Sequence, residues 1–256
     1  MPNNLKRTNT LFHSCKKFES LKNIIRENGF RASYADELIE NHEVKTLMVS
    51  FSNVALFESE SQINYGKYAI GLTKEWGIKN ELEPVYYTYE NSITGNSFME
   101  NVMIAGRMKV RECINNPDLD SKITTLFDNS INSLEYLKSY IVTNQKGQEF
   151  IAYNDREWRY VHKHDKYNAL IFKTNFLTGK VNSDYDKHKP YNKPYTEKAV
   201  LVFGLKDLKF IIVDKKKQKK IIYSLLFKAF GKENVMEKIL DGEIDILSRD
   251  TIWNNL

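Results

Sequence analysis

The alternation of apolar and polar positions divides the chain into short β-runs and a few helical stretches. "NTLFHS" (residues 9–14) reads as a first strand, and "KFESLKNIIRENGF" (17–30) as a helix. In that helix Phe18, Leu21, Ile24 and Ile25 recur at helical spacing, and Gly29 stands where a C-terminal cap belongs. "KTLMVSFS" (Lys45–Ser52) predicts a buried strand, and "GKYAIGLT" (Gly66–Thr73) a second, with Thr73 placed to cap the helix "KEWGIKN". "PVYYTY" (Pro84–Tyr89) is a further β-rich run.

From Asn91 to Gln148 the period changes. "SFMENVMIAGRMKVREC" and "SKITTLFDNSINSLEYLKSYIV" (121–142) predict two helices, a helical insertion over 91–148 within one domain spanning 1–256. Strand signals return with "REWRYV" (156–161), followed by the polar loop "NSDYDKHKPYNKPYTEK". "AVLVFG", "KFIIVD", a helix over "IIYSLLFKAFG" and a strand in "EIDIL" complete the series. The sum is an α+β fold with roughly six or seven short strands and an inserted helical layer.

Composition narrows the class. The 256 residues are 41% hydrophobic and 28% charged, with 15 tyrosines and 14 phenylalanines, which opposes disorder. No apolar run approaches a membrane span, and "MPNNLKRTNTLFHSC" lacks an apolar leader core, so the expectation is a cytoplasmic protein with no membrane partner. Cys15 and Cys113 form no CxxC pair, which argues against a disulfide framework or a thiolate metal site. "HKH" (His162–His164) has no acidic or cysteine companions, and we read it as a solvated strand end; no metal is expected.

The net charge is +5. Much of the excess lies in "KKKQKK", where Lys215, Lys216, Lys217, Lys219 and Lys220 precede the last long apolar run. Such a run is either the solvated start of a helix or a nucleic-acid-binding patch. Lysines in a first helical turn oppose the helix dipole, so helix stability does not explain them.

The remaining chemistry is sparse. The chain has no P-loop, GxGxxG, GxSxG or HExxH motif. His13 sits in an apolar strand beside Ser14, either as a satisfied core residue or as a ligand-facing donor. Ser50 and Ser52 share one face of their strand, lining a cleft or merely ending the strand. Tyr65 and Tyr68 flank Gly66. In "DREWRY" Glu157 and Arg159 point one way and Trp158 the other, which describes either a salt-bridged sheet face or a catalytic carboxylate with a same-face arginine.

These segments in this order resemble a known family. "LFHSCKKFESLKNIIRENGFRASY", "MVSFSNVAL", "YGKYAIGLTKEWGIKNELEPVYY" and "REWRYV" resemble the AbiG-type abortive-infection phage-resistance proteins, whose first component is commonly labelled an antitoxin. "NVAL" (Asn53–Leu56) departs from the acidic residue and proline that the resemblance leads one to expect after the serine strand. The order is also similar to the ADP-ribosyltransferase fold, a split mixed β-sheet. That similarity implies NAD as a substrate. His13, Ser14, Ser50, Ser52, Tyr65, Tyr68 and Arg159 would bind it, with Glu157 and His13 catalytic. The alternative is a non-catalytic partner in a toxin–antitoxin pair, contacting a cognate toxin or antitoxin protein. In the catalytic case positive charge builds on the ribose as the nicotinamide bond breaks, and a carboxylate in a dry cleft stabilises it.

Overall fold

A computed structural model describes residues 8–54, 66–112, 117–143, 147–163, 169–175, 179–183, 185 and 198–250. The first strand, β1 (Thr10–Cys15), leads into α1 (Phe18–Glu27), which buries Leu21, Ile24 and Ile25. The cap lies one residue earlier than its sequence suggests. Asn28 takes the left-handed conformation, φ 48°, and its N–H reaches the carbonyls of Ile24 and Ile25. Asparagine tolerates this region better than most side chains, so Gly29 is free to open β2 (Gly29–Phe30).

A hairpin follows that the hydrophobic pattern did not reveal. β3 (Ser33–Ile39) turns through Glu40 and Asn41, both at positive φ, into β4 (His42–Ser52). Two consecutive positive φ values match the hand of a strand pair. β5 (Tyr68–Thr73) then meets α2 (Lys74–Lys79), where Thr73 Oγ1 accepts from the Trp76 N–H at 3.2 Å. The expected run over 84–89 is broken into β6 (Glu83–Pro84) and β7 (Tyr86–Thr88).

The helical layer is α3 (Ile93–Glu112) and α4 (Pro117–Leu134). Glu40 and Ser92 cap α3: the Glu40 carboxylate accepts from the Asn91 N–H and the Ser92 hydroxyl, and Ser92 Oγ accepts from the Gly95 N–H. The second helix ends eight residues before the apolar spacing does. Residues 137–143 are strands, β8 (Leu137–Ser139) and β9 (Ile141–Thr143), because β8 pairs in parallel with β7, and β9 pairs antiparallel with β10 (Glu149–Ile151). Tertiary pairing overrides the local period.

The chain continues through β11 (Glu157–Val161), β12 (Leu170–Phe172), β13 (Leu201–Val202) and β14 (Leu208–Val213). It ends in α5 (Lys219–Phe230), α6 (Lys232–Leu240) and β15 (Asp245–Ser248). Fifteen described strands replace the expected six or seven, because many are two or three residues long and too short to show a period.

The main sheet is mixed and nine-stranded, in the order β15-β14-β5-β1-β4-β11-β6, with β3 and β12 also on β4. Only the β14–β15 pairing within it is parallel. One face carries the main core, where Leu11, Leu47, Phe51, Ile70 and Leu72 meet α1, α2 and α5. A smaller core joins Met99, Val102 and Leu134 of the helical layer to Ile39, Val44 and Phe172. Among the described residues no helix is long and apolar enough to cross a membrane.

Candidate functional site: a forked sheet and a buried charge cluster

The site is built on β4. On one edge β4 pairs with β3 as far as Met48, then meets β1 at a single register position, Phe12 opposite Ser52. Between those points β1 and β3 part, leaving a notch along Val49–Phe51. His13 spans the parting, with its Nδ1 2.9 Å from the Ser50 carbonyl oxygen. Its ring packs against Phe30 and Phe51 at 5.1 and 5.6 Å. Burial holds the imidazole below its ordinary pKa of 6.5, outweighing the opposing effect of the Ser50 contact.

Two cavities meet at this histidine. The smaller, about 80 Å³, is lined by Phe12, His13, Ser14, Ser50, Phe51, Ser52, Asp155 and Glu157. The larger, about 420 Å³, runs from His13 and Ser50 towards α1, between Asn23, Glu27, Phe30, Arg31 and Met48. The sequence-chosen His13, Ser14, Ser50, Ser52 and Glu157 therefore come together at one cavity. Tyr68 does not join them. It is 9% exposed, packs on Phe18 at 5.3 Å, and its hydroxyl accepts from Gln218 Nε2. Its strand position faces the main core. Tyr65 and His164 lie outside the described residues.

On the other edge β11 pairs with β4, Glu157 opposite Ser52 and Arg159 opposite Ser50. The face shared by Glu157 and Arg159 is buried, not solvated: they are 7% and 0% exposed. Trp158 and Tyr160 pack on the opposite face against the main core. The covering comes from β8 and β3. Arg159 Nε donates to Glu157 Oε1 at 2.6 Å, and Lys138 Nζ pairs with Glu157 Oε2 at 2.6 Å. Arg159 Nη2 pairs with Glu37 Oε1 at 2.7 Å, with Lys138 3.5 Å from the same atom. Arg159 Nη1 donates to the carbonyls of Glu135 and Leu137. Two acids and two bases thus form a neutral buried group.

That geometry sets the electrostatics. Burial alone would raise the Glu157 pKa, but the charges of Arg159 and Lys138 and the hydrogen bonds they donate outweigh it and hold it down to about 2. Burial would lower the Lys138 pKa, and Glu37 and Glu157 outweigh that and push it above its ordinary value. Glu157 also fixes its neighbour through the main chain, its N–H donating to the Tyr87 hydroxyl at 2.8 Å. Arg159 has no exposed surface, and its guanidinium is one of the two cations that keep Glu157 ionised. Glu37, Lys138 and Asp155 were not visible as site residues. Glu37 is an ordinary acid in an alternating run, and Lys138 stood in a stretch of helical spacing.

Lys215, Lys216, Lys217 and Lys220 are exposed and Lys219 is half-buried, in a tight turn and the first turn of α5. They stand beyond the end of β14, not at the fork. Among the described residues no group of three or more His, Cys, Asp and Glu side chains could hold a metal ion.

The sequence of the chain, not its architecture, connects it to a class of proteins met in phage defence. A family model described as "Putative abortive phage resistance protein AbiGi, antitoxin" matches residues 18–214. The chain belongs to the AbiGi family of abortive phage resistance proteins. A curated relative, "Abortive phage resistance protein AbiGi" of Lactococcus lactis subsp. cremoris, is 24% identical over 172 residues, covering 61% of this chain and 64% of the relative. The match thus spans less than two thirds of that relative's length. No solved structure matches.

Proposed function

We propose that this protein acts as the antitoxin-like partner of an abortive-infection pair, neutralising a cognate toxin by contact and not by turnover. The state of Glu157 carries the reading. Both its carboxylate oxygens are occupied, by Arg159 and Lys138, in a site that is 7% exposed. A carboxylate that must stabilise a ribosyl cation needs a free oxygen facing the substrate, and this one is committed to holding β11 against β3 and β8. The adjoining cavity of about 80 Å³ is also well below the ~300–1,000 Å³ usual for ligand sites.

The test is co-expression with the product of the neighbouring gene, followed by co-purification. His13→Gln/Ser52→Ala alters the cavity while leaving the four-charge group intact. Complex formation and rescue of growth equal to the parent chain are expected. Loss of rescue by that variant, with the complex retained, overturns the proposal.

A second reading, ADP-ribosyl transfer from NAD, draws support from the convergence of His13, Ser14, Ser50, Ser52 and Glu157 at one cavity, which shares His13 and Ser50 with a larger one. It requires Glu157 to leave its two cations. Incubation with NAD labelled in the adenylate half, with nicotinamide measured by mass spectrometry, separates the two. The antitoxin reading expects neither label transfer nor nicotinamide release.

A further inference from the structure

Four adjacent strands of the main sheet end side by side, and their flanking residues share one charge. In the order β15-β14-β5-β1, the pairs Val213–Ser248, Ala69–Ile212 and Cys15–Tyr68 align the ends. Lys16 and Lys17 follow β1, Lys67 precedes β5, and Arg249 follows β15. Lys215, Lys216, Lys217, Lys219 and Lys220 follow β14. Nine basic residues therefore stand with two acids, Asp214 and Asp250, an excess larger than the +5 of the whole chain. Strands lie ~4.8 Å apart, so the four ends span roughly 15 Å.

This end is built, not incidental. Gly66, at φ 153°, passes so close to β1 that a Cβ would lie 2.1 Å from the Cys15 carbonyl oxygen. The close approach sets Lys67 beside Lys16. The lysine turn is stapled by the Lys215 N–H to Gln218 Oε1 at 2.8 Å, and Gln218 reaches across to Tyr68 at 3.2 Å. α5 has no acid in its first turn, so Lys219 and Lys220 oppose its dipole. Eight of the nine cations lie outside the residues matched by the family model, so the family description does not account for them.

We propose that this sheet end binds double-stranded nucleic acid through its phosphate backbone, without reading sequence. Eight of the nine cations are lysines, the strongly hydrated point charges that suit phosphates. Protein interfaces are depleted in lysine and favour tyrosine, tryptophan and arginine, so an acidic polypeptide fits less well. Single-strand binders need exposed rings for base stacking. Among the described residues here, Phe18 and Tyr68 instead pack against each other, and Tyr68 is buried.

Fluorescence anisotropy of a labelled duplex of about 20 base pairs, using the full chain, tests this. Five phosphate contacts give a slope of log affinity against log salt near −4.5, roughly a 500-fold loss between 50 and 200 mM salt. Lys215→Glu/Lys216→Glu/Lys217→Glu should weaken binding at least ~30-fold at low salt and flatten the slope by about 3. Lys206→Glu/Lys228→Glu/Lys232→Glu makes the same charge change at exposed positions elsewhere, and should weaken binding by no more than ~3-fold. Lys→Gln at the same three sites serves if reversal disturbs the circular dichroism. Equal losses in the two triple variants, tighter binding of a single strand of equal length, or binding of polyglutamate but not duplex would each overturn the proposal. Toxin neutralisation is measured separately, so either proposal can fail without the other.

Discussion

Glu157→Leu removes one of two acids from a buried group of four charges and leaves Arg159 and Lys138 facing Glu37 alone. Breaking a buried ion pair from one side costs about 3–5 kcal/mol, because the surviving charge stays buried. Linkage gives a similar size. A carboxyl held from an ordinary 4.5 down to about 2 contributes roughly 3 kcal/mol at neutral pH. The sign follows from the depressed folded value: this stability is present above pH 4.5 and is lost as pH falls from there to about 2. The double variant Glu157→Leu/Arg159→Met leaves Lys138 and Glu37 as a one-to-one pair. It should regain most of the loss, less about 1–3 kcal/mol for the Glu135 and Leu137 carbonyls that lose the Nη1 donor. Urea unfolding of the four proteins at pH 7 closes the cycle, and Glu157→Gln substitutes if the leucine variant does not fold. A Glu157→Leu variant within ~1 kcal/mol of the parent, or a double variant as unstable as the two singles summed, refutes the reasoning. The first outcome would also return Glu157 to the list of available catalytic groups.

Four further outcomes follow from the same structure. Gly66→Ala should destabilise the chain by more than ~1 kcal/mol, read as a lower Tm, since its φ and the Cys15 carbonyl both exclude a side chain. Thr73→Ala should cost about 1 kcal/mol in urea unfolding, through loss of the bond from the Trp76 N–H. His13 should titrate below 6.5 by NMR, and stability should fall with decreasing pH through that value, a slope that His13→Gln reduces. The Cys15 thiol, pushed up to about 12 by burial, should resist iodoacetamide at pH 8 in the folded protein and react on unfolding, as followed by mass spectrometry.

What was legible in the sequence was what local periodicity can encode. α1 showed its buried stripe, and β4, β5 and β14 announced themselves as apolar runs. The strand positions of His13, Ser50, Ser52 and Glu157 were equally readable, and the sheet brings them to one cavity. The environment of Glu157 was not. Its burial depends on Lys138 and Glu37, which reach it through β8 and β3. Neither strand was foreseen: the first lay inside a helical period and the second led into a turn with no glycine. An acid/base alternation in a strand usually marks a solvated face. Here a second layer closes over it, and no local signal distinguishes the two. The packing of Tyr68 was hidden for the reverse reason, since a glycine beside a tyrosine signals close backbone approach but not which face receives the ring.

The protein uses its charges in two opposite ways. At β11 two bases are buried against two acids, and the group is satisfied internally, so its net field outside the fold is small. Buried groups of this kind add little stability over apolar packing, yet are severe when broken. Their effect here is to fix the register of β11 against β4 and the closure of β3 and β8 over it. Along the β15-β14-β5-β1 end of the sheet nine cations stand with two acids, of which Asp214 pairs with Lys67 at 3.7 Å, and most of the cations face water. Charges left unneutralised at a helix start and along four strand ends weaken the fold slightly through mutual repulsion. Chemistry directed outward from this chain is therefore to be sought first at the lysine-rich end, and the glutamate that most resembled a catalytic residue is the one the fold needs for itself. The salt dependence of the lysine variants and the stability of the Glu157 variants should separate accordingly: the former change binding and shift unfolding only by the slight relief of that repulsion, and the latter lower stability and leave duplex binding unaltered.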